Sequence, residues 1–161
     1  MPLVLSGGCG GPDPKGPGSA YAVMQAEKGA EEKLTASGAK LERKQYPQGG
    51  AWAVDLSGKE INDETLAALK GLDHVTELNL SGTTVSDAHV RYVNEVGPLL
   101  ILNLSKTAVT DAALAQLEAG NLTQLDVTNT KVTAEGVSQF LKKRAEDSRI
   151  TEAFKTPNVK R

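Results

Sequence analysis

Four short segments of the chain alternate apolar and polar residues over their last four positions: AVDLS, ELNLS, ILNLS and QLDVT. Alternation with period two is what a strand shows when one of its faces is buried. Asp55, Asn79, Asn103 and Asp126 hold equivalent places in the four segments, 24, 24 and 23 residues apart. Apolar columns stay in register around them: Val54, Leu78, Leu102 and Leu125, then Leu56, Leu80, Leu104 and Val127, then Ile61, Val85, Val109 and Val132. Farther along each unit the pairs Leu66/Leu69, Val90/Val93, Leu114/Leu117 and Val137/Phe140 lie three residues apart, as on one face of a helix. Each unit therefore reads strand, turn, helix. One such unit cannot bury its own apolar faces, so the stacking of neighbours must create the core.

Small polar residues precede each helix: Asn62, Ser86, Thr110 and Thr133 are of the types that cap exposed N–H groups. Asp63, Asp87 and Asp111 follow three of them at once, which places a negative charge at the positive end of a helix. That periodic placement explains the aspartates structurally. Thr83, Thr107 and Thr130 form another column, expected to be an internal ladder whose hydroxyls meet backbone groups in the turns.

The pattern bounds the organisation. Residues 51–141 hold the four repeats, and residues 19–50 read as an N-terminal cap. In that cap Val23, Ala30 and Leu34 stand at helical spacing, Gly38 favours a helix stop, and AKLERKQY forms a charged edge strand joined to the first repeat by PQGG. Residues 142–161 read as a C-terminal cap: FLKKRAEDSRITEAF prolongs the last helix and supplies one degenerate strand, and KTPNVKR is a frayed tail. The Lys142, Lys143, Arg144 cluster is read as a solvated helix C-terminus rather than an interaction patch. Residues 1–18 are rich in glycine and proline and cannot contribute a packed core, so they are read as a signal-like, flexible tether.

The units LNLSGTTVSDAHVRYV and LNLSKTAVTDAALAQL resemble the leucine-rich repeat family, in the LxLxxTxVTDxxLxxL form found in small bacterial proteins and related to the cysteine-containing repeats of F-box adaptors. The period agrees with the roughly 20–29 residues of such repeats. The resemblance implies an α/β solenoid, with a parallel sheet on its concave side and helices on its convex side. The first unit departs by placing Lys59 in the threonine column, and the last by placing Ala134 in the aspartate column. A second resemblance lies at the start, where an apolar stretch, small residues and Cys9 are similar to the end of a bacterial lipoprotein signal that would acylate Cys9. Ser6 occupies the place three before the cysteine where leucine is usual, and neither a basic segment nor an apolar stretch of the usual length precedes it. The alternatives are lipidation, which would place the protein at the bacterial cell envelope, or an unmodified thiol on a flexible, cytoplasmic N-terminus.

Composition narrows the function further. Eighteen basic and twenty acidic residues leave a net charge of −2, so no broad electrostatic field recruits nucleic acid or an anionic membrane. Cys9 is the single cysteine, which excludes an intramolecular disulfide and a cysteine-based zinc site. His74 and His89 have no second histidine or cysteine at ligand spacing. Ser86, Asp87 and His89 do not assemble a nucleophile, a base and an orienting carboxylate without help from elsewhere, because residues two apart on a helix do not face one another. GPDPKGP has the glycine spacing of a phosphate loop but puts Pro17 where lysine is needed. The sequons at Asn79, Asn103 and Asn121 are products of the repeat. No catalytic residue, metal ligand or cofactor is expected, and the chain is read as a noncatalytic, monomeric protein-binding module with an unidentified protein partner. The alternative is a structural or tethering lipoprotein, touching membrane only through Cys9.

A partner would meet the strand positions that alternate with the buried leucines. These form three columns expected to be exposed: Ala53, Glu77, Ile101 and Gln124, then Asp55, Asn79, Asn103 and Asp126, then Ser57, Ser81, Ser105 and Thr128. Ile101 and Glu77 are the least repeat-like members and so the candidates for specificity, with the Asp/Asn column supplying hydrogen bonds. The alternative is that these small polar residues merely solvate the sheet.

Overall fold

The fold is that of a computed structural model, which describes residues 20–46, 49–151, 153 and 155–161. The chain begins with helix α1 (Ala20–Ala36), followed by strands β1 (Lys40–Tyr46) and β2 (Gly49–Asp55). Helix α2 (Asp63–Ala68) runs into a 3-10 turn at Leu69–Gly71 and leads to β3 (Val75–Asn79). A 3-10 turn at Asp87–His89 opens α3 (Val90–Asn94), and β4 (Ile101–Asn103), α4 (Asp111–Gln116), β5 (Gln124–Asp126), α5 (Ala134–Glu146) and β6 (Asn158–Lys160) complete the order. The strands form one six-stranded sheet in sequence order, antiparallel between β1 and β2 and parallel from β2 to β6. This is the α/β arrangement that the repeat predicts.

The equivalent positions Asp55, Asn79, Asn103 and Asp126 pair with one another from strand to strand, so the sequence repeat is also the register of the sheet. The ladder continues past the strand ends, where Leu56, Leu80 and Leu104 donate their N–H groups to the carbonyls of Asn79, Asn103 and Asp126 at 2.8–2.9 Å. The two inward columns, Val54, Leu78, Leu102 and Leu125 and then Leu56, Leu80, Leu104 and Val127, are at most 2% exposed. They join Leu66, Leu69, Val90, Val93, Leu114, Leu117 and Phe140 from the helices in one apolar cluster. Burial of this kind, about 1.5–3 kcal/mol for each large aliphatic side chain, is what the stacking supplies.

The turn after each strand places Gly58, Gly82, Lys106 and Asn129 in the left-handed region, at φ between 57° and 66°. Glycine meets that requirement without strain, whereas lysine does not. The threonines close the same turns: Thr83 Oγ donates to Leu80 O, Thr107 Oγ to Leu104 O and Thr130 Oγ to Val127 O, at 2.6–2.7 Å. These bonds run inside each unit, so the threonine column is a set of separate turn locks rather than a ladder between units. Coupling between units comes from the aspartates. Asp87 accepts from both the N–H and the hydroxyl of Thr110, and Asp111 from both groups of Thr133, all four bonds at 2.7 Å.

The ends differ from the sequence reading in three respects. Val23 was expected in the buried stripe of α1, yet it is 49% exposed while Ala30 and Leu34 are buried. Farther along α1, Ala30 meets Gly71 so closely that an added side-chain carbon at Gly71 would overlap it. KTPNVKR is not a frayed tail: Asn158–Lys160 is β6, in register with Gln124–Asp126, and Lys160 O accepts from Val127 N–H at 2.7 Å. The terminal strand therefore lies in this tail and not in FLKKRAEDSRITEAF, where α5 runs to Glu146. Arg144 is not solvated. It is 3% exposed, donates to the carbonyls of Ala119, Gly120 and Leu122 at 2.7–3.2 Å, and lies over the Phe140 ring. A loop with inward carbonyls needs such donors, and the fork-shaped guanidinium reaches several at once.

At the other end the charged edge strand is β1, and Gly38 ends α1 at φ 82°. Trp52, buried in β2, donates its indole N–H to Glu27 of α1 at 2.7 Å, and Arg43 stacks over the indole while pairing with the same carboxylate.

Candidate binding face of the sheet

One face of the sheet is covered by the helices, and the other carries the alternate residues of each strand. The first column crosses the strands as Glu42, Ala53, Glu77, Ile101, Gln124 and Asn158, the second as Lys40, Asp55, Asn79, Asn103, Asp126 and Lys160. Ile101 and Glu77 are half-buried and Gln124 is exposed. Together Lys40, Glu42, Ala53, Asp55, Glu77 and Ile101 line a shallow depression of about 400 Å3 that Asn79 and Asn103 extend.

The second and third columns are occupied with local duties. Asp55, Asn79, Asn103 and Asp126 each accept, through Oδ1, the backbone N–H two residues on, at 2.8–3.1 Å. The oxygen expected to hydrogen-bond a partner thus holds the turn instead, because a short carboxylate or carboxamide reaches that N–H without moving the strand. The expectation that Ser105 is exposed is overturned: it is buried, and Ser81, half-buried, shares a hydrogen bond with it at 2.8 Å. The narrow turn packs Ser81 against Ser105 and takes Ser105 out of solvent, while Ser57 at the start of the column stays exposed.

Charge on the face is arranged in pairs. Lys44 of β1 meets Glu77 at 2.6 Å, and Lys160 of β6 meets Asp126 at 3.4 Å. Burial works against ionisation of Asp55 and Asp126, yet their turn hydrogen bonds and nearby lysines outweigh it and hold both carboxyls below the usual range. The sequence reading missed Lys40, Glu42, Lys44 and Lys160. The alternation in KLERKQY already separates Lys40, Glu42 and Lys44 from Leu41 and Arg43, but only the hairpin register decides which set joins the open face.

Other groups of reactive side chains serve structure. Ser86 and His89 do come together, at 3.1 Å between Oγ and Nδ1, and the help from elsewhere is Asp63, 3.4 Å from Nε2. His89 Nδ1 also accepts the Ser86 backbone N–H at 3.0 Å, so its single lone pair caps the 3-10 turn and is not free to take a proton from the serine. Among the described residues no group of three or more His, Cys, Asp or Glu is placed to hold a metal. His74 is exposed, in the left-handed region, and pairs with Asp73. It borders a cleft of about 500 Å3 whose rim at Gly49 adjoins residues 47 and 48, outside the described residues. Cys9 also lies outside them. No helix among the described residues is long and apolar enough to cross a membrane.

The family model described as Leucine Rich repeat matches residues 121–141, the fourth of the in-register units. That unit is a leucine-rich repeat. Among solved structures the chain is similar to the LRR ectodomain of the receptor kinase SOBIR1 from Arabidopsis thaliana, at 12% identity and a TM-score of 0.35 over 85% of this chain and 97% of that one. Comparison with curated proteins gives no match.

Proposed function

We propose that the chain is a noncatalytic module that binds a protein partner through the open face of its sheet, acting as a monomer. The observation that carries the reading is the depression between β1 and β4, the place on this face where an aliphatic side chain, Ile101, lies among charged ones. A rigid sheet presenting one apolar spot inside a polar rim has the anatomy of an interface centre. Small size limits the interface, so one segment of a partner fits it better than a broad protein surface.

The test is affinity purification with the wild-type chain, followed by binding measurements on the recovered partner. Ile101→Lys and Glu77→Lys should each weaken binding at least about tenfold, a loss of about 1.4 kcal/mol. Gln116→Lys, exposed on α4 away from the sheet face, should leave it unchanged. Equal binding by all three variants removes the open face as the site. The tethering reading, with an envelope location, rests on Cys9; a cytoplasmic location follows if that thiol is unmodified. Mass spectrometry of the N-terminus of the protein from its native cells tests it, and an unacylated Cys9 ends it.

A further inference from the structure

The chemistry of the depression selects what would enter it. The oxygens of Asn79 and Asn103 accept backbone N–H groups at 3.1 and 2.9 Å, so what these two residues offer a ligand is the N–H of their carboxamides. Neighbouring strands put them side by side, since Asn79 pairs with Asn103. Donors of this kind suit backbone carbonyls, the commonest acceptors of an extended peptide. Ala53 and Ile101 flank Glu77 in the adjacent column, one on each neighbouring strand, and Ile101 offers the larger apolar spot.

Around that spot the carboxylates outnumber the cations. Glu42, Asp55 and Glu77 line the depression with a single lysine, Lys40, which lies close enough to Asp55 to help keep it ionised. Glu77 is met by Lys44, reaching from β1 at 2.6 Å, and both side chains remain about one-third exposed, at 28% and 33%. An ion pair that solvent still reaches contributes little to stability, and a competing cation can take the place of its lysine. Lys44 therefore occupies the place that an incoming ammonium or guanidinium would take, and a guanidinium would hold the carboxylate with two parallel hydrogen bonds where the ammonium offers a point charge.

We propose that the depression binds an extended peptide segment carrying an aliphatic side chain next to an arginine or lysine, with the aliphatic group on Ile101 and the cation displacing Lys44 from Glu77. The inference rests on the reading of the open face as a protein-binding surface and adds the chemistry of the segment. Lys44 is then a built-in competitor that sets affinity and selects against segments without a basic residue.

The experiment is selection of random 12-residue peptides displayed on phage against the full chain, followed by anisotropy titrations of the enriched peptides. Enrichment of aliphatic–basic pairs is expected. Binding should fall at least about tenfold with Glu77→Gln, which keeps the shape and removes the charge. Ile101→Lys should abolish it. With Lys44→Met the affinity should rise several-fold, a gain that a merely structural ion pair would not give. Gln116→Lys serves as the control. Peptides lacking a basic residue that still lose binding in Ile101→Lys would overturn the charge inference and leave the open face standing. Peptides indifferent to Ile101→Lys and Glu77→Gln alike would overturn both readings, and so would a selection that enriches nothing.

Discussion

At the scale of the residue, the repeat is held by side chains whose work is set by small differences in place. Asp87 and Asp111 do more than complement a helix end, since each takes both donors of the threonine that caps the following helix. That grip needs room. Gly136, buried in the first turn of α5, sits so close to the Asp111 carboxylate that a side-chain carbon added there would overlap it. The equivalent residue one unit earlier is Ala113. Gly136→Ala should therefore cost about 1–3 kcal/mol in urea unfolding through overpacking. In an Asp111→Ala background the same substitution should cost clearly less, because the two residues act on one contact. An equal loss in both backgrounds would place the cause elsewhere. The sequence shows the aspartate column and the glycine, but their contact crosses units and needs the stacked geometry to be seen.

At the scale of the element, the joints between units are charged and so respond to pH. Hydrogen bonds from the backbone and hydroxyl of Thr133 hold the Asp111 carboxyl below its ordinary value, and the turn bonds do the same for Asp55 and Asp126 against the opposing effect of burial. At the C-terminal end of α5, hydrogen bonds from Arg149 bring Asp147 to about 2. A carboxyl whose pKa is lower folded than unfolded contributes stability that is fully present above the unfolded value of about 3.9. That contribution is lost as pH falls through the folded value. The urea midpoint should hold steady from pH 7 to 5 and then decline below pH 4. Asp111→Asn should show a shallower decline, and an identical slope would remove Asp111 from the set. Legibility also varied by element. The parallel strands and the helices of the repeats follow from periodicity, whereas the tail strand β6 was hidden, since NVK is too short and polar to signal a strand without the waiting edge of β5.

At the scale of the whole molecule, an open parallel sheet has two edges that must be closed. The antiparallel strand β1, with its alternating charges, closes one, and β6 closes the other. Removal of residues 157–161 would strip Val127 N–H and Thr123 O of their partners and uncover the edge of β5. The truncated chain should lose about 2–4 kcal/mol of stability. It should also associate as concentration rises, because an uncovered strand edge is a template for another chain. Light scattering after size-exclusion chromatography checks this; a monomer with an unchanged urea midpoint would contradict it.

The sequence by itself determined the repeating unit, its period and the inward columns, because a residue's burial in a strand depends only on parity and every unit repeats the same choice. It also located Ile101 and Glu77 on the open face for the same reason. Only the tertiary structure decided that Ser105 is buried, that the Asp/Asn oxygens are spent on their own turns, that Arg144 is an internal donor, and that Lys44 comes from the hairpin to meet Glu77. Each of these depends on a contact between segments about 20 or more residues apart or on the reach of a side chain in a turn, and neither is encoded in the alternation of apolar and polar positions.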